Sequence, residues 1–511
     1  MRSRSRGPAF ACGVLVLALL AGCGSTIEPG ADQATGASSQ DLGGPAISQP
    51  GAVTSDGGSV GGATSTQPLA GGGQKSRGSS QTTGPTGPAP TVASSHSTGG
   101  GTSSGPKQTG PLTVGFLTTD TSNASSSGAS LGNTVSESGV DKGLIDAINK
   151  KGGIDGRQVK VVLAHTDTGS SNWSSDFQAA CATFTQDNHV DAVLGYQFTY
   201  EPNLENCLTK EGIPHLSNGF NVPSNSVLAQ YPLFWSLDVP TIGVRSVAKF
   251  EGAIKTGFLT PKNKLGIVLD NCPGTLPAWS SEVRPYLLAH HINIAMTSTS
   301  SCGTGDNAGT ANTVSGITSG MLKFRNAGVD RISFVSVSEA PALYVVSTVA
   351  QSQGYYPGWI VSSLGQLAII GGEAPKSEMR NTHGYGWLPS QDVPPNYNPK
   401  PNASQRRCTS LLHSEGIQPR SAADFGYAYN ACEAVFLYEK ALQIDGGNAD
   451  GTAVSNAIAS LGGKFQSMLN LYGRSTYSTA RRNNTPAVYK PINWDGNCNC
   501  FRYGHQTFNM P

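Results

Sequence analysis

Residues 141–163, DKGLIDAINKKGGIDGRQVKVVL, decide the fold class of this 511-residue chain. Leu144, Ile145 and Ile148 lie on one face of a predicted helix, and the lysines at its end complement the helix dipole. Two glycines then supply the left-handed conformation that commonly ends a helix. The following IDG turn leads into a valine-rich run that predicts a strand. Because LTVGFL at 112–117 predicts an earlier strand, the chain opens as β, α, β.

Helices and strands continue to alternate along the chain, which predicts a parallel sheet with helices on both faces. The elements predicted before residue 237 are helix 176–185, strand 191–195, helix 204–210 and strand 213–216. The pattern then restarts, with helices predicted at 244–256, 279–290, 314–326 and 343–353, and strands at 264–270, 292–296, 331–335 and 359–361. The restart predicts a second lobe, and residues 422–442 predict a long amphipathic helix.

At the opening stretch the chain resembles the type I periplasmic solute-binding proteins, the receptors of ABC importers grouped with the leucine/isoleucine/valine-binding protein. Members carry a similar IN-x-x-GGI-x-GR segment between the first helix and the second strand. The similarity is also close at 190–195, 210–214 and 425–431. It implies an α/β fold of two Rossmann-like lobes, the type I periplasmic-binding-protein fold, joined by a three-crossing hinge with the ligand cleft between the lobes. The implied boundaries are 111–237 plus 363–472 for lobe 1 and 238–362 plus 473–511 for lobe 2.

The N-terminal residues have the features of an export signal. Three arginines precede a short apolar stretch at 9–21, and Leu20-Ala21-Gly22-Cys23 resembles a bacterial lipobox. Residues 1–23 are therefore predicted to be a lipoprotein signal peptide, with a lipid attached to Cys23; an ordinary cleaved signal is the alternative. Residues 24–110 are rich in Gly, Ser, Thr and Pro and lack a periodic apolar face, which predicts a disordered tether.

Composition argues against several functional classes. The formal net charge is +1 and the basic residues form no stripe, so we expect no nucleic-acid partner. The predicted folded part contains no nucleophile elbow, phosphate loop or zinc motif, so we expect a protein that is not an enzyme and that needs no cofactor or metal. The GTSSG stretch at 101–105 fits an elbow pattern formally but lies in the predicted tether.

Eight cysteines remain after Cys12 in the signal and Cys23 are set aside. An even number in an exported protein indicates disulfides, although their connectivity stays open; metal binding is the alternative, but no CxxC pair is present. The preferred pairing joins nearest neighbours: Cys181 with Cys207, Cys272 with Cys302, Cys408 with Cys432, and Cys498 with Cys500.

The predicted ligand site lies beyond the carboxyl ends of the strands, where open α/β sheets bind their ligands. The candidate residues are Thr119, Tyr196, Gln197, Phe198, Ser217 and Asn218 from lobe 1, and Asn271, Glu339 and Ser363 from lobe 2. The aromatic rings suit planar ligands, and the amides and the carboxylate orient polar groups. Several alternatives stay open: the aromatic residues could be core, Glu339 could be a helix-start charge, and the asparagines could serve turns.

The resemblance implies an extracytoplasmic receptor, an actinobacterial-type lipoprotein anchored to the cell membrane. It would bind a small polar solute of the amino-acid, amide or aromatic-acid type by hinge closure, and would work as a monomer with an ABC permease and its ATPase. One alternative is an envelope lipoprotein that senses a ligand and signals to a membrane partner. An envelope hydrolase is the other, since an α/β fold alone does not fix function.

Overall fold

The computed structural model describes residues 110–120, 134–167, 173–195, 201–217, 224–272, 274–300, 307–337 and 339–511. All of these residues lie in one compact unit, Ser97–Pro511. The predicted signal peptide with Cys23, and residues 24–109 of the predicted tether, lie outside the described ranges.

The opening segment forms β1 (Leu112–Asp120), α1 (Glu137–Lys150) and β2 (Val159–Asp167). The helix begins after Ser136, whose side chain accepts a hydrogen bond from the third residue of α1. The three apolar residues that marked one face in the sequence are at most 3% exposed. Burial of that face against the sheet is what holds the helix in place.

A turn that requires glycine joins α1 to β2. Gly153 has a φ of +80°, and a Cβ atom on it would lie 1.9 Å from the carbonyl oxygen of Arg157. The Arg157 side chain then donates from Nε to the carbonyl oxygen of Gly110 at 2.5 Å and from Nη1 to that of Gly447 at 3.1 Å. This arginine therefore clamps the start of the described chain to the first lobe, at the amino end of β1.

The first sheet is parallel and has five strands in the order β2-β1-β3-β4-β5. Its remaining strands are β3 (Ala192–Gly195), β4 (His215–Ser217) and β5 (Phe234–Ser236). The helices between them are α2 (Trp173–Ala182), α3 (Pro202–Lys210) and α4 (Asn225–Leu228), and a π-helical turn, Thr183–Asp187, extends α2.

The second sheet has the order β7-β6-β8-β9-β10-β11-β12, with β13 paired to β11. Its strands are β6 (Lys264–Asp270), β7 (Asn293–Ser300), β8 (Arg331–Val335), β9 (Gly358–Ser362), β10 (Thr382–Gly386), β11 (Val488–Asp495), β12 (Cys500–Tyr503) and β13 (Phe508–Asn509). Strands β6 to β10 pair in parallel, and β11 to β13 are antiparallel additions. Its helices are α5 (Ile242–Lys255), α6 (Thr275–Ala278), α7 (Arg284–Ala289), α8 (Asn307–Ala327), α9 (Ala340–Ser352), α10 (Leu367–Glu373) and α11 (Lys376–Met379).

The parallel parts of the two sheets share one topology. If the strands are numbered along the chain within each sheet, both orders are 2-1-3-4-5, the order of flavodoxin-like sheets. The chain leaves the first sheet after its fifth strand, β5, and leaves the second sheet after its fifth strand, β10. It therefore builds the same half twice before it returns to the first lobe.

Three helices follow the second sheet's parallel strands and pack on the first lobe. They are α13 (Ala403–Ser414), α14 (Ala422–Ile444) and α15 (Gly451–Ser460), and a short helix α12 (Pro389–Asp392) precedes them. Helix α13 packs against α1, and α14 packs against α1, β3 and β4. The chain then returns to the second sheet through β11, which makes three crossings between the lobes in total.

Strand β10 is the main difference from the sequence-based prediction, which placed residues 363–472 in the first lobe. It pairs with β9 and β11 in the second sheet. Its sequence, THGYG, contains two glycines and no alternating apolar pattern, so it does not resemble a strand. Glycine at 384 instead allows close packing, because a Cβ atom there would lie 2.7 Å from the end of the Leu367 side chain.

Among the described residues, three of the predicted disulfides are formed: Cys181–Cys207, Cys408–Cys432 and Cys498–Cys500. Cys272 is also disulfide-bonded, and Cys302 lies outside the described residues. Across the described ranges, no helix combines the length and the apolar character needed to span a membrane.

Candidate functional site

Two switch points define the candidate site. In a sheet of order 2-1-3-4-5, the chain diverges to opposite sides after the first and third strands, and the crevice at their carboxyl ends binds ligands. Here those ends are the residues after β1 and β3 in the first lobe, and after β6 and β8 in the second. The predicted site residues 119, 196–198, 271 and 339 all follow or end these strands.

The lobe 1 candidates are only partly within the described residues. Thr119 lies in β1 opposite Thr166, and its side chain is outside the description. Tyr196, Gln197, Phe198 and Asn218 also lie outside the described residues. Ser217 ends β4 and is fully buried, and its carbonyl oxygen accepts a hydrogen bond from the backbone nitrogen of Leu237 at 2.9 Å. Ser217 therefore ties β4 to the first crossing.

His165 is a polar residue at the lobe 1 edge that the sequence analysis missed. Its Nδ1 lies 2.6 Å from Oγ1 of Thr118, which is buried next to it in β1. The imidazole itself is exposed. Residues 161, 163 and 165 share one face of β2, so continuing the period-2 pattern beyond residue 163 would have placed the histidine on the strand.

A cavity of about 390 Å³ opens at the N-terminal ends of α1 and α14. Because helices in these lobes return antiparallel to the strands, their N-termini lie on the same side of the sheet as the carboxyl ends. The cavity is lined by Thr134, Val135, Ser136, Gly139, Val140, Gly416, Ile417, Gln418 and Arg420.

Asp424 fixes the wall of this cavity. Its carboxylate accepts hydrogen bonds from the backbone and hydroxyl of Thr134 and from the backbone nitrogens of Val135, Arg420 and Ser421. Burial pushes the pKa of Asp424 upward, but the hydrogen bonds outweigh it and lower the pKa to about 2. The ionised carboxylate thus joins the segment before α1 to the start of α14.

In lobe 2, Asp270 organises the carboxyl end of β6. Its carboxylate accepts from the Thr275 hydroxyl at 2.5 Å and from the backbone nitrogens of Cys272 at 3.1 Å and Val337 at 2.8 Å. The last bond links the end of β6 to the loop after β8, across the switch point. Asn271 is exposed beside it, and its backbone nitrogen donates to the carbonyl oxygen of Ser300 at 3.1 Å.

Glu339 lies in a buried ion pair at the start of α9. Its Oε1 is 2.6 Å from Nζ of Lys249, and the two side chains are 1% and 0% exposed. Its Oε2 accepts from the backbone nitrogen of Ser362 at 2.6 Å, and the lysine also donates to the carbonyl oxygen of Phe334. Burial lowers the pKa of Lys249, and Glu339 opposes that shift. The carboxylate therefore holds the ends of β8 and β9 together and has no solvent-facing oxygen for a ligand.

Arg245 completes this buried charge cluster. Its Nη2 donates to the carbonyl oxygens of Ser336 at 2.7 Å and Val337 at 3.1 Å. Burial lowers the pKa of Arg245 to about 10, while Glu339 and Asp270 oppose the shift. Since Arg245 and Lys249 both lie on α5, this one helix holds the end of β8 and the loop that follows it.

Ser363 follows β9, is fully buried and contacts the second crossing, which follows β10. Its hydroxyl donates to Oδ2 of Asp392 at 3.2 Å and accepts from the backbone nitrogens of Trp387 at 2.7 Å and Leu388 at 3.1 Å. Burial raises the pKa of Asp392 to about 7, although hydrogen bonds from Tyr503, Ser363 and Leu388 oppose the rise. Ser363 therefore supports the hinge, whereas Asn271 and Glu339 lie at the lobe 2 switch point.

The three crossings are hydrogen-bonded to one another. The indole nitrogen of Trp387 on the second crossing donates to the carbonyl oxygen of Asp238 on the first at 2.6 Å. Leu471 on the third crossing donates from its backbone nitrogen to the carbonyl oxygen of Trp387 at 2.8 Å. Thr485, also on the third, donates to the carbonyl oxygen of Leu237 at 2.5 Å. The three segments that connect the lobes are thus held to one another by hydrogen bonds.

The described part of the chain offers no group of three or more His, Cys, Asp or Glu side chains arranged to hold a metal ion. The polar groups described at the carboxyl ends of the strands include hydroxyls, the His165 imidazole, the Asn271 amide, the Asp270 carboxylate and backbone groups. Such groups can orient a small polar molecule by hydrogen bonds.

Comparison with solved structures shows the fold. A solute-binding protein of an ABC transporter from R. palustris, in complex with 4-hydroxybenzoate, is 13% identical with a TM-score of 0.56; the match covers 78% of this chain and 98% of that one. An ABC transporter substrate-binding protein from Aeropyrum pernix is 12% identical with a TM-score of 0.58, covering 79% and 97%. One from Desulfitobacterium hafniense, in complex with Leu, is 13% identical with a TM-score of 0.52, covering 77% and 100%.

No protein-family model matches the chain, and no curated protein matches it. At 12–13% identity the structural likeness shows the fold alone. The predicted fold class, two parallel-sheet lobes of the type I periplasmic-binding-protein fold, is confirmed. The structural neighbours are substrate-binding receptors of ABC transporters rather than enzymes.

Proposed function

We propose that this protein is the solute-binding receptor of an ABC importer. The observation that carries the proposal is the repeated 2-1-3-4-5 sheet. Sheets of this order bind ligands at the carboxyl ends of the strands, and here one chain contains two such edges, connected by three hydrogen-bonded crossings. A solute held between the edges makes contacts with both lobes only when they are closed, so binding favours the closed form. A permease and its ATPase then receive the solute unchanged.

The proposed solute is a small polar molecule of the amino-acid, amide or aromatic-acid type. Among proteins of similar structure, one is in complex with 4-hydroxybenzoate and another with Leu. The loops after β3 and β4 contain Tyr196, Phe198 and Phe220, whose rings suit stacking on a planar ligand. The amide side chains of Gln197, Asn218 and Asn271 suit the polar groups of the same molecule.

The proposal includes an extracytoplasmic location and a lipid anchor. The basic start, the short apolar run and the lipobox ending at Cys23 support it, as does the tether sequence at 24–110. Replacing Cys23 by serine is expected to move the protein from the membrane fraction to the soluble fraction, because the acyl chains are then not attached. A Cys23→Ser protein that stays in the membrane fraction would contradict the anchor without affecting the receptor proposal.

The receptor proposal is tested by a thermal-shift screen of the soluble chain, residues 24–511. Amino acids, amides, ureas, aromatic acids including 4-hydroxybenzoate, and sugars serve as ligands, because a molecule bound only by the native state raises the melting temperature. A hit is then titrated by calorimetry, and small-angle scattering measures whether the radius of gyration falls at saturation. We expect tight binding, a smaller radius and complete recovery of the unchanged ligand.

Two substitutions locate the site. Gln197→Ala and Asn271→Ala are each expected to weaken binding about tenfold, the effect of losing one hydrogen bond of about 1.4 kcal/mol. Asn497→Ala is the matched control, because Asn497 is exposed in the β11–β12 turn. Chemical conversion of the ligand, or binding that leaves the radius of gyration unchanged, would contradict the receptor proposal.

A further inference from the structure

The β11–β12 hairpin ends in a disulfide between cysteines only two residues apart, Cys498 and Cys500. Asn499 between them is exposed and adopts a left-handed φ of +50°. Gly496 and Asn497 in the same turn are exposed, and the two cysteines are half-buried. The sulfur atoms therefore lie at the tip of a surface turn, where a small thiol reaches them without unfolding the chain.

The hairpin is held together by contacts that do not involve the sulfurs. Strands β11 and β12 pair over four residues each. An ion pair joins Asp495 to Arg502 at 3.0 Å, and the backbone nitrogen of Asn497 donates to the Asp495 carboxylate at 2.9 Å. Behind the turn, the rings of Trp494 and Phe501 meet edge to face with centroids 5.2 Å apart. We expect these contacts to hold the turn in shape when the disulfide is reduced.

Two other disulfides, Cys408–Cys432 and Cys181–Cys207, join separate helices of the fold. Cys408–Cys432 joins α13 to α14 across 24 residues with both cysteines fully buried, and Cys181–Cys207 joins α2 to α3 across 26 residues. A cross-link that closes a long loop restricts the unfolded chain much more than one that closes a loop of three residues. Cys498–Cys500 thus adds less to the free energy of unfolding than either of the other two disulfides.

We propose that Cys498 and Cys500 form a thiol–disulfide exchange site for an external dithiol. One thiolate of the dithiol attacks a cysteine sulfur, forms a mixed disulfide and releases the other cysteine as a thiolate, which takes a proton. The second thiol of the reductant, once deprotonated, attacks the mixed disulfide, releases the first cysteine, which is protonated in turn, and leaves as a disulfide. Two electrons and two protons pass to the cysteine pair.

The reduced form has a hydrogen-bond partner in place. The sulfur of Cys498 lies 3.6 Å from the carbonyl oxygen of Asp495, which can accept from the thiol proton after reduction. Because the pairing of β11 with β12 does not involve the sulfurs, we expect the reduced cysteines to stay close and to be oxidised again. This site is independent of the proposed solute cleft, since the hairpin tip belongs to neither switch point.

The test exposes the soluble chain, residues 24–511, to dithiothreitol buffers with an increasing ratio of reduced to oxidised reagent. Free thiols are alkylated and located by peptide mass spectrometry, and near-ultraviolet circular dichroism follows the fold in the same samples. We expect Cys498 and Cys500 to be reduced at a ratio at least about tenfold lower than the Cys408–Cys432 and Cys181–Cys207 pairs, with an unchanged native spectrum. Reduction of all pairs together, or only as the native spectrum is lost, would overturn the proposal.

Paired variants give a second measurement. The Cys498→Ser/Cys500→Ser variant is expected to melt within about 2 °C of the parent chain, whereas Cys408→Ser/Cys432→Ser is expected to melt much lower. If removal of the hairpin disulfide lowers the melting temperature as much as removal of the buried one, the hairpin disulfide is structural and the proposal fails.

Discussion

The indole nitrogen of Trp387 donates a 2.6 Å hydrogen bond to the carbonyl oxygen of Asp238, and both residues are at most 1% exposed. The bond joins the second crossing to the first at the centre of the hinge. Leaving a buried carbonyl without its donor costs about 1–3 kcal/mol. Trp387→Phe is therefore expected to lower the free energy of unfolding by that amount in urea denaturation.

Trp494→Phe is the matched control for the hinge tryptophan. Within the described residues, the Trp494 indole nitrogen has no hydrogen-bond partner, so the same substitution there removes no such bond. We expect Trp494→Phe to lower the free energy of unfolding less than Trp387→Phe does. Equal losses at the two positions would show that the loss of ring volume, and not the hydrogen bond, determines the effect at the hinge.

Breaking the Lys249–Glu339 pair from one side is expected to be costly. Lys249→Met leaves a buried carboxylate without its counter-ion, which typically costs about 3–5 kcal/mol. In Lys249→Met/Glu339→Gln both charges of the pair are removed, Arg245 keeps Asp270 as a nearby carboxylate, and the glutamine carbonyl can still accept from the Ser362 nitrogen. The double variant is therefore expected to be more stable than Lys249→Met alone. Urea denaturation of both variants measures the difference.

Lys255→Met is the control for this pair, because Lys255 forms a partly exposed ion pair with Glu251 at 2.5 Å. Exposed pairs of this kind contribute about 0–1 kcal/mol. If Lys249→Met lowers the free energy of unfolding as little as the control does, the buried Lys249–Glu339 ion pair does not hold the loop after β8.

Asp392 is expected to make stability depend on pH. Its folded pKa is about 7 because of burial, whereas the carboxyl of an unfolded aspartate titrates at about pH 3.9. Between about pH 4 and pH 7 the folded protein therefore holds a proton there that the unfolded chain has lost. The contribution to stability falls as the pH rises through that window, by up to about 1.4 kcal/mol per pH unit.

Asp392→Asn is expected to reduce that slope, since the amide does not titrate, and urea denaturation from pH 4.5 to 6.5 measures it. Glu433, whose pKa burial also raises to about 7, remains in the variant and keeps part of the slope. Asp146→Asn, at an exposed position of α1, serves as the control and is expected to leave the slope unchanged. An unchanged slope in Asp392→Asn would show that the carboxyl is ionised throughout.

The glycine pair after α1 permits a test of the segment that decides the fold. Gly152 and Gly153 have φ values of +104° and +80°, so alanine is strained at both, at about 1–2 kcal/mol. At Gly152 nothing lies within 4 Å of an added Cβ, whereas at Gly153 the Arg157 carbonyl oxygen lies 1.9 Å away. Gly153→Ala should therefore lower the melting temperature more than Gly152→Ala. Equal effects would show that the contact with the Arg157 carbonyl oxygen does not determine the loss at Gly153.

The sequence predicted well those elements whose information is local. The bounds of the strands at Lys264–Asp270 and Arg331–Val335 match the prediction, because each is an apolar run between clear breakers. Strand β10 was missed because its glycines serve packing against distant side chains. The second crossing consequently follows β10 rather than β9.

The candidate site was less predictable, because its chemistry depends on partners far away in the chain. Glu339 was expected to face the cleft, yet its counter-ion, Lys249, is 90 residues earlier on α5. Ser363 likewise bonds to Asp392, 29 residues later. A periodic pattern can place a residue at the end of a strand, but it does not show whether another element neutralises that residue.

The clamp of Arg157 on Gly110 also determines where the described chain is fixed to the molecule. Gly110 precedes β1 at the amino edge of the first sheet, about 25–30 Å along the strand from its carboxyl end. A force applied to the chain at this point therefore acts directly on lobe 1, at the end of the sheet opposite the crevice, and reaches lobe 2 only through lobe 1.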